Sequence, residues 1–263
     1  MKIFAVSDIH GYFDEFKQAL DEAGFEDNNP NHLLVTCGDH FDRGMQPLEV
    51  MNYLMNLNNV VMIRGNHEEM FEHLCEKRNP QSYDYSNGTM PTIMLLANNI
   101  HNADMIYDSA LRSTAEFRNK MVNYFETKNY IFVHGWIPCK PLKNNHFYNL
   151  AASDFRFNPK WRESTNEQWK QACWCNGIDM AHFGLIEPNK TIVCGHWHCS
   201  YGHFISDKTF KVGEFDESAI WDPYYAEGLI AIDRCTAHTG KVNVLVLEDD
   251  LLEEIKNERI KDK

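Results

Sequence analysis

The sequence predicts an α/β fold built on a largely parallel sheet. Five short apolar runs lack alternation, as strands buried on both faces do, and each gives way at once to a polar residue able to bind a ligand. They are Lys2 to Ser7 before Asp8, Leu33 to Cys37 before Gly38-Asp39, Val60 to Arg64 before Gly65-Asn66-His67, Tyr130 to Val133 before His134, and Thr191 to Cys194 before Gly195-His196. Between the early runs lie segments of helical period: Phe13, Phe16, Leu20 and Ala23 form one stripe, and Leu48, Met51, Leu54 and Met55 another. Strands that alternate with helices pair in parallel. In such sheets the ligand crevice lies beyond the carboxyl ends of the strands, where all the polar clusters fall. They are expected to form one site.

The remaining elements follow in chain order. Residues Glu68 to Lys128 read as mainly helical, with a polar break at Asn79 to Gly88 and a stripe of Leu111, Ala115, Val122 and Phe125. Residues 138 to 170 are aromatic and polar without clear period, as long loops with short helices are. Gly228 to Asp233 and Lys241 to Glu248 read as strands, with Thr239-Gly240 able to close a hairpin between them. The tail from Asp249 to Lys263 alternates charge, which predicts a solvated, partly frayed helix. No linker composition divides the chain, so residues 1–248 are expected to form one domain with a helical insert at about 68–128.

Composition narrows the function. No run of about 18 apolar residues occurs, so no membrane span is expected. The apolar stretch from Met1 is too short for a secretory signal, and the eight cysteines form no CxxC pair; reduced thiols in a cytoplasm are the expectation. A formal charge of −13 disfavours extended nucleic-acid binding, which needs clustered Lys and Arg. A small phosphorylated substrate remains compatible, because a local cationic centre dominates the global field at short range.

The side chains collected at the strand ends are Asp8, His10, Asp39, Asn66, His134, His196 and His198. Carboxylate, imidazole and amide donors suit Mn, Fe or Zn better than a thiolate site or an all-oxygen calcium cage. They are too many for one catalytic ion with an open position. Two ions sharing a carboxylate use them naturally, and such a pair can bind both the attacking and the leaving oxygen of an in-line displacement.

In this order Asp8-Ile9-His10-Gly11, Gly38-Asp39-His40-Phe41-Asp42-Arg43-Gly44, Gly65-Asn66-His67-Glu68, His134-Gly135 and Gly195-His196-Trp197-His198 resemble the calcineurin-like metallophosphoesterase superfamily. The Asp-Arg-Gly and Asn-His-Glu forms look most like its phosphoprotein phosphatase branch, including the bacterial and phage enzymes. The resemblance implies a sandwich of two mixed β-sheets flanked by helices, with a dinuclear metal site at the strand ends. It implies that Asp8, His10 and Asp39 hold one metal, with His198 completing that site, and that Asp39 bridges to a second held by Asn66, His134 and His196. A solvent bridging the ions is then the nucleophile. His67, paired with Asp42, is the general acid facing the leaving oxygen, and Arg43 grips two phosphoryl oxygens.

The branch usually carries a second phosphate-gripping arginine after a tryptophan. Here Trp174-Cys175-Asn176-Gly177 offers Asn176 in its place, with Arg156 and Arg162 as other candidates from the nearby loop. The implied activity is hydrolysis of a phosphate monoester, with phosphoserine or phosphothreonine in proteins as one substrate class. A symmetrical dinucleoside tetraphosphate or a phosphodiester is the alternative. His40 is expected to pack, and His203 and His238 to lie at the surface. Substrate choice is expected from the loops Asn79 to Asn102 and Lys140 to Trp169.

Overall fold

The computed structural model describes residues 1–97, 102, 105–142 and 151–252. All five apolar runs are strands: β1 (Lys2–Val6), β2 (His32–Cys37), β3 (Val60–Ile63), β5 (Tyr130–Phe132) and β8 (Thr191–Cys194), numbered in chain order. They divide between two sheets. In the first, β1, β2 and β3 are parallel, and β11 (Leu245–Glu248) adds antiparallel to β1 with Ile3 opposite Leu247. In the second, β5, β8 and β10 (Leu229–Ala231) are parallel, edged by antiparallel β4 (Phe125–Glu126) and β9 (Tyr224–Ala226). A separate ribbon pairs β6 (Lys140–Pro141) with β7 (Phe155–Arg156).

Side-chain alternation turns these strands into layers. Ile3, Ala5, Leu33, Val35 and Ile63 of the first sheet meet Phe132, Val193 and Ile230 of the second in one dry core between the sheets. The opposite parity, Phe4, Val6, Leu34 and Met62, packs under helices α1 (Phe13–Glu22), α2 (Pro47–Asn56), α3 (Asn66–Lys77), α5 (Thr89–Leu96), α6 (Ile106–Ser113) and α7 (Ala115–Lys120). Ile131, Val133, Ile192 and Leu229 pack outward beneath α8 (Asn166–Cys173), α9 (Gly177–His182) and α10 (Cys199–Ser206). β1, β2, β8 and β10 are thus covered on both faces, which is why their sequences show no polar alternation. The result is a helix–sheet–sheet–helix sandwich with two mixed sheets.

The helical stripes are shifted in places. α1 buries Phe16 and Leu20 as its spacing predicts, with Phe13 and Ala23 packed alongside. In α2 the buried face is Pro47, Val50, Met51 and Leu54, whereas Leu48 is exposed. The polar break holds a single turn, α4 (Ser82–Ser86). The stripe through Leu111, Ala115, Val122 and Phe125 does not exist as one face. α6 ends where the Thr114 hydroxyl bonds back to the Ala110 carbonyl, Val122 is exposed, and Phe125 is already in β4.

The proposed hairpin at Thr239-Gly240 is also absent. β10 and β11 belong to different sheets, and between them lies the short helix α11 (Thr236–Thr239), closed by Gly240. The start of the charged tail is packed rather than solvated. Buried Asp249 accepts from the Thr127 hydroxyl at 2.6 Å and from the Asn129 side chain at 2.6 Å, and Leu251 is buried too. Residues 253–263 of that expected helix lie outside the described residues.

Candidate metal centre

β1, β2 and β8 deliver their ligands through strained turns. Asp8, His10, Asp39, Asp42, Arg43 and His196 all adopt positive φ, between 51° and 69°. A non-glycine residue in this region costs about 1–2 kcal/mol, so six of them in one place mark a site that the surrounding fold must hold in shape. Glycine is required beside them. A Cβ on Gly65 would run into the Asp39 carboxylate, and one on Gly195 into Ser7 and Asp8. These turns bring the chain from four strands to one point.

Asp39 stands at that point. Its Oδ2 lies 3.7 Å from His10 Nε2 and 3.8 Å from His67 Nε2, and its Oδ1 lies 3.3 Å from His134 Nε2. Two groups of donors converge within metal-binding reach, His10 with Asp39 and His67, and Asp39 with His134 and His196. Asp39 belongs to both. Asp8 Oδ1 adds to the first at 3.8 Å from His10 Nε2, and Asn66 Oδ1 to the second at 2.7 Å from His134 Nε2.

Hydrogen bonds behind the rings select what this centre can hold. His10 Nδ1 donates to the Phe41 carbonyl at 2.9 Å, and His134 Nδ1 to the Cys37 carbonyl at 2.8 Å. With Nδ1 carrying the proton, each Nε2 presents a lone pair toward carboxylate or amide oxygens. Lone pairs facing lone pairs in a buried place repel unless a cation lies among them. The donor set therefore fits a pair of divalent cations sharing Asp39.

Burial and charge agree with this. Burial pushes the Asp8 carboxyl up to about 7, with Asp39 adding repulsion. Burial also raises Asp39, but His134, His67, His10 and His196 outweigh it and hold that carboxyl well below the usual range. Burial, reinforced by His134, lowers His196 to about 3, and burial with His67 holds His10 well below its ordinary value.

Glu68 sets the frame. Its Oε2 accepts from the backbone of Gly65 at 2.7 Å and of Asp39 at 3.2 Å, while Oε1 accepts from the His40 backbone at 2.9 Å and faces His40 Nδ1 at 3.1 Å. The start of α3 is thereby clamped to the Asp39 turn. His40, fully buried between Glu68 and Thr36, serves the same clamp.

Asp42, His67 and Arg43 meet on the cavity side. His67 Nδ1 lies 2.7 Å from Asp42 Oδ2, which also accepts from Thr89 at 2.7 Å. Burial alone would lower the His67 pKa, yet Asp39 and Asp42 carry it up to about 9. Arg43 Nη2 lies 3.5 Å from His67 Nε2, so the guanidinium and the imidazole face the same point. A cavity of about 550 Å³ opens over Asp8, Asp39, Asn66, His67 and His196, walled by Tyr83, Asp84, Asn87, Trp174 and Trp197.

Two expected site residues are placed elsewhere. His198 is in neither donor group; its Nε2 lies 2.8 Å from Glu214, and its ring packs between Trp197 and Phe215. Its backbone is extended at the entry to α10. Asn176 uses its side-chain oxygen to cap α9, accepting from Ile178 at 3.0 Å and Asp179 at 3.3 Å, and does not line the cavity. No second arginine replaces it there: Arg162 is engaged by Glu126 and Glu187, and among the residues lining the cavity Arg43 is the single Lys or Arg. His203 and His238 bond and stack at the surface near Asp222 and Trp221.

Sequence reasoning missed Asp233. It follows β10, lines the cavity, is buried, and accepts from the Cys235 backbone at 2.7 Å. Burial, with Asp8 nearby, raises its carboxyl to about 8. It repeats the pattern of an apolar strand ending in a carboxylate, Leu229 to Ile232 before Asp233, and that was the available signal.

The comparisons with known proteins agree. Shewanella-like protein phosphatase 1 of Plasmodium berghei is 28% identical over 192 residues, 58% of this chain and 50% of that protein. A symmetrical bis(5'-nucleosyl)-tetraphosphatase of Buchnera aphidicola subsp. Schizaphis graminum is 39% identical over 175 residues, 64% of this chain and 50% of that protein. The chain thus spans about half the length of these curated relatives, and against another tetraphosphatase of Buchnera aphidicola the match is 69 residues long. A solved structure provisionally assigned as a diadenosine tetraphosphatase shares the fold, with a TM-score of 0.51 at 15% identity over 94% of this chain and 89% of the other. The profile of the calcineurin-like phosphoesterases matches residues 1–200, and the chain belongs to that family.

Proposed function

We propose that this protein is a metal-dependent phosphoesterase that hydrolyses a phosphate monoester. The observation that carries the reading is Asp39 shared by two groups of histidine and carboxylate donors, with Arg43 3.5 Å from His67 at the edge of the first. Bound there, two divalent cations supply charge neutralisation and an activated solvent nucleophile at neutral pH. Native Mn, Fe or Zn each suits these donors.

The chain's own residues do the rest. Arg43 presents a planar fork to two phosphoryl oxygens and offsets charge that grows in the transition state. The start of α3 lies beside the same point with its favourable helix dipole, while the His67 backbone N–H there donates to Asp39 Oδ1 at 3.0 Å. Asp42 fixes the proton on His67 Nδ1 and stabilises the imidazolium, leaving Nε2–H to protonate the departing oxygen. Asp8, His10, Asn66, His134 and His196 are the metal-holding residues, with Asp39 between the two positions.

Phosphorylated side chains of proteins are within this class, in line with the protein phosphatase among the relatives. A second reading, cleavage of a symmetrical dinucleoside tetraphosphate, draws support from the 39% identical tetraphosphatase. The paired Asp42 and His67 favour the monoester. The test is metal analysis of the purified chain together with rates on a phosphoserine peptide, diadenosine tetraphosphate and an aryl phosphodiester. Two metals per chain with the monoester fastest is the expected result; fastest turnover of the tetraphosphate would move the assignment to the second reading. An inactive chain with two bound metals would end both.

A further inference from the structure

The cavity over the metal centre has two indole walls. Trp174, 40% exposed, caps the end of α8, and Trp197, 36% exposed, follows the His196 turn. Both line the cavity. Their rings lie 6.2 Å and 6.1 Å from the His196 ring, so they flank the same metal-holding residue.

The Trp174 ring meets the His196 ring edge-on, and the Trp197 ring is held from behind. Trp197 stacks on His198 at 6.1 Å and meets Tyr201 edge-on at 5.9 Å. His198 is tied in turn to Glu214, and Tyr201 to Asp179 at 2.8 Å. Large aromatic faces left open to solvent yet braced from behind are the parts of a stacking platform, since fixing them beforehand removes the ordering cost of binding.

From this geometry we infer that Trp174 and Trp197 form a clamp for a planar aromatic leaving group, so that the substrate is an aryl or nucleoside phosphate carrying one phosphoryl group. The inference rests on the phosphomonoesterase reading and specifies its leaving group. The charge of the walls limits the phosphate count. Arg43 is the single Lys or Arg lining the cavity, against the carboxylates of Asp84 and of Glu69, the latter 3.9 Å from the Lys170 ammonium. A chain of several phosphates would meet those carboxylates, whereas one phosphoryl group is matched by Arg43 and the metal centre. In the reaction water adds across the ester P–O bond, the departing oxygen takes a proton, and the products are inorganic phosphate and a free phenol or nucleoside.

The test uses the full chain loaded with manganese, as wild type and as Trp174→Ala, Trp197→Ala and the two Trp→Phe variants. Phosphotyrosine, adenosine 5'-monophosphate and glycerol 2-phosphate are the substrates, and phenylphosphonate and methylphosphonate are the binding probes, followed by indole fluorescence. Each Trp→Ala change is expected to cut kcat/KM about three- to tenfold on the aromatic substrates, from the usual worth of a ring–ring contact, and to leave glycerol 2-phosphate unchanged. Phe is expected to restore most of the loss. Whichever of phosphotyrosine and the nucleotide turns over faster identifies the source of the ring. An equal fall on all three substrates, or no fall, overturns the clamp. If wild type hydrolyses none of them, the phosphoesterase reading falls, while tighter binding of phenylphosphonate than of methylphosphonate, lost in both Ala variants, still upholds stacking; equal binding of the two refutes it.

Discussion

His67 and His198 are both histidines next to a candidate metal-holding residue or one step beyond it, yet they have opposite surroundings. His67 has a fully buried carboxylate behind it, Asp42, whose other oxygen has no hydrogen-bond partner among the described residues. That carboxylate is committed to the imidazole and to Thr89. Replacing His67 by Ala is expected to leave folding and metal content intact and to lower kcat by about 10²–10⁴, the usual range for a lost general acid. The loss should be smallest for leaving groups that need no proton, and an equal loss across leaving groups of different pKa would argue against proton donation. His198, tied to Glu214 in the aromatic cluster, predicts the reverse pattern. His198→Ala should keep the same number of metals per chain, measured by elemental analysis, and a fall to one metal would return it to the centre.

Among the elements, α3 and α7 are joined to the end of β3 by one carboxylate. Glu72 accepts from Arg64 at 2.8 Å and from Arg118 at 2.9 Å, with its side chain 22% exposed. Burial raises the Glu72 pKa, but the two arginines outweigh it and leave the carboxyl below its ordinary value. A carboxylate lowered by folding adds stability that is complete above its unfolded pKa and is lost as pH falls through the folded one. Glu72→Gln is therefore expected to destabilise by about 1–2 kcal/mol near neutral pH, as for hydrogen bonds to charged groups. Denaturant unfolding of both proteins should show that difference shrinking as the solution is acidified below the ordinary glutamate range. A gap that stays constant with pH would mean that packing, not charge, joins these elements.

Across the whole molecule, folding and the proposed metal binding are expected to be linked, because the candidate donors come from strands far apart in sequence and have no common geometry in the unfolded chain. Removing metals with a chelator should lower Tm in the wild type, and Asp39→Ala should both lose metal and become insensitive to the chelator. A ligand present at 100 times its Kd stabilises by about 2.7 kcal/mol, which sets the scale of the shift. The two sheets depend on each other as well. Phe132 is fully buried in the core between them, and Phe132→Ala should cost about 3–5 kcal/mol in calorimetry or denaturant titration. No described helix is long and apolar enough to cross a membrane.

The amino-acid order alone located the strands, their buried character and the turn residues beyond them, because burial on both faces writes a continuous apolar run and a strained ligand turn writes Gly, Asp and His. It therefore disclosed Asp8, His10, Asp39, Asn66, His134 and His196 as neighbours before any distance was known. What it did not contain is direction. Whether His198 turns inward or toward Glu214, whether Asn176 faces phosphate or caps α9, and that β10 and β11 enter different sheets are all fixed by contacts between distant segments. Asp233 joins the cavity for the same reason: its place was set by β10 aligning beside β8, a pairing between residues that no local pattern connects.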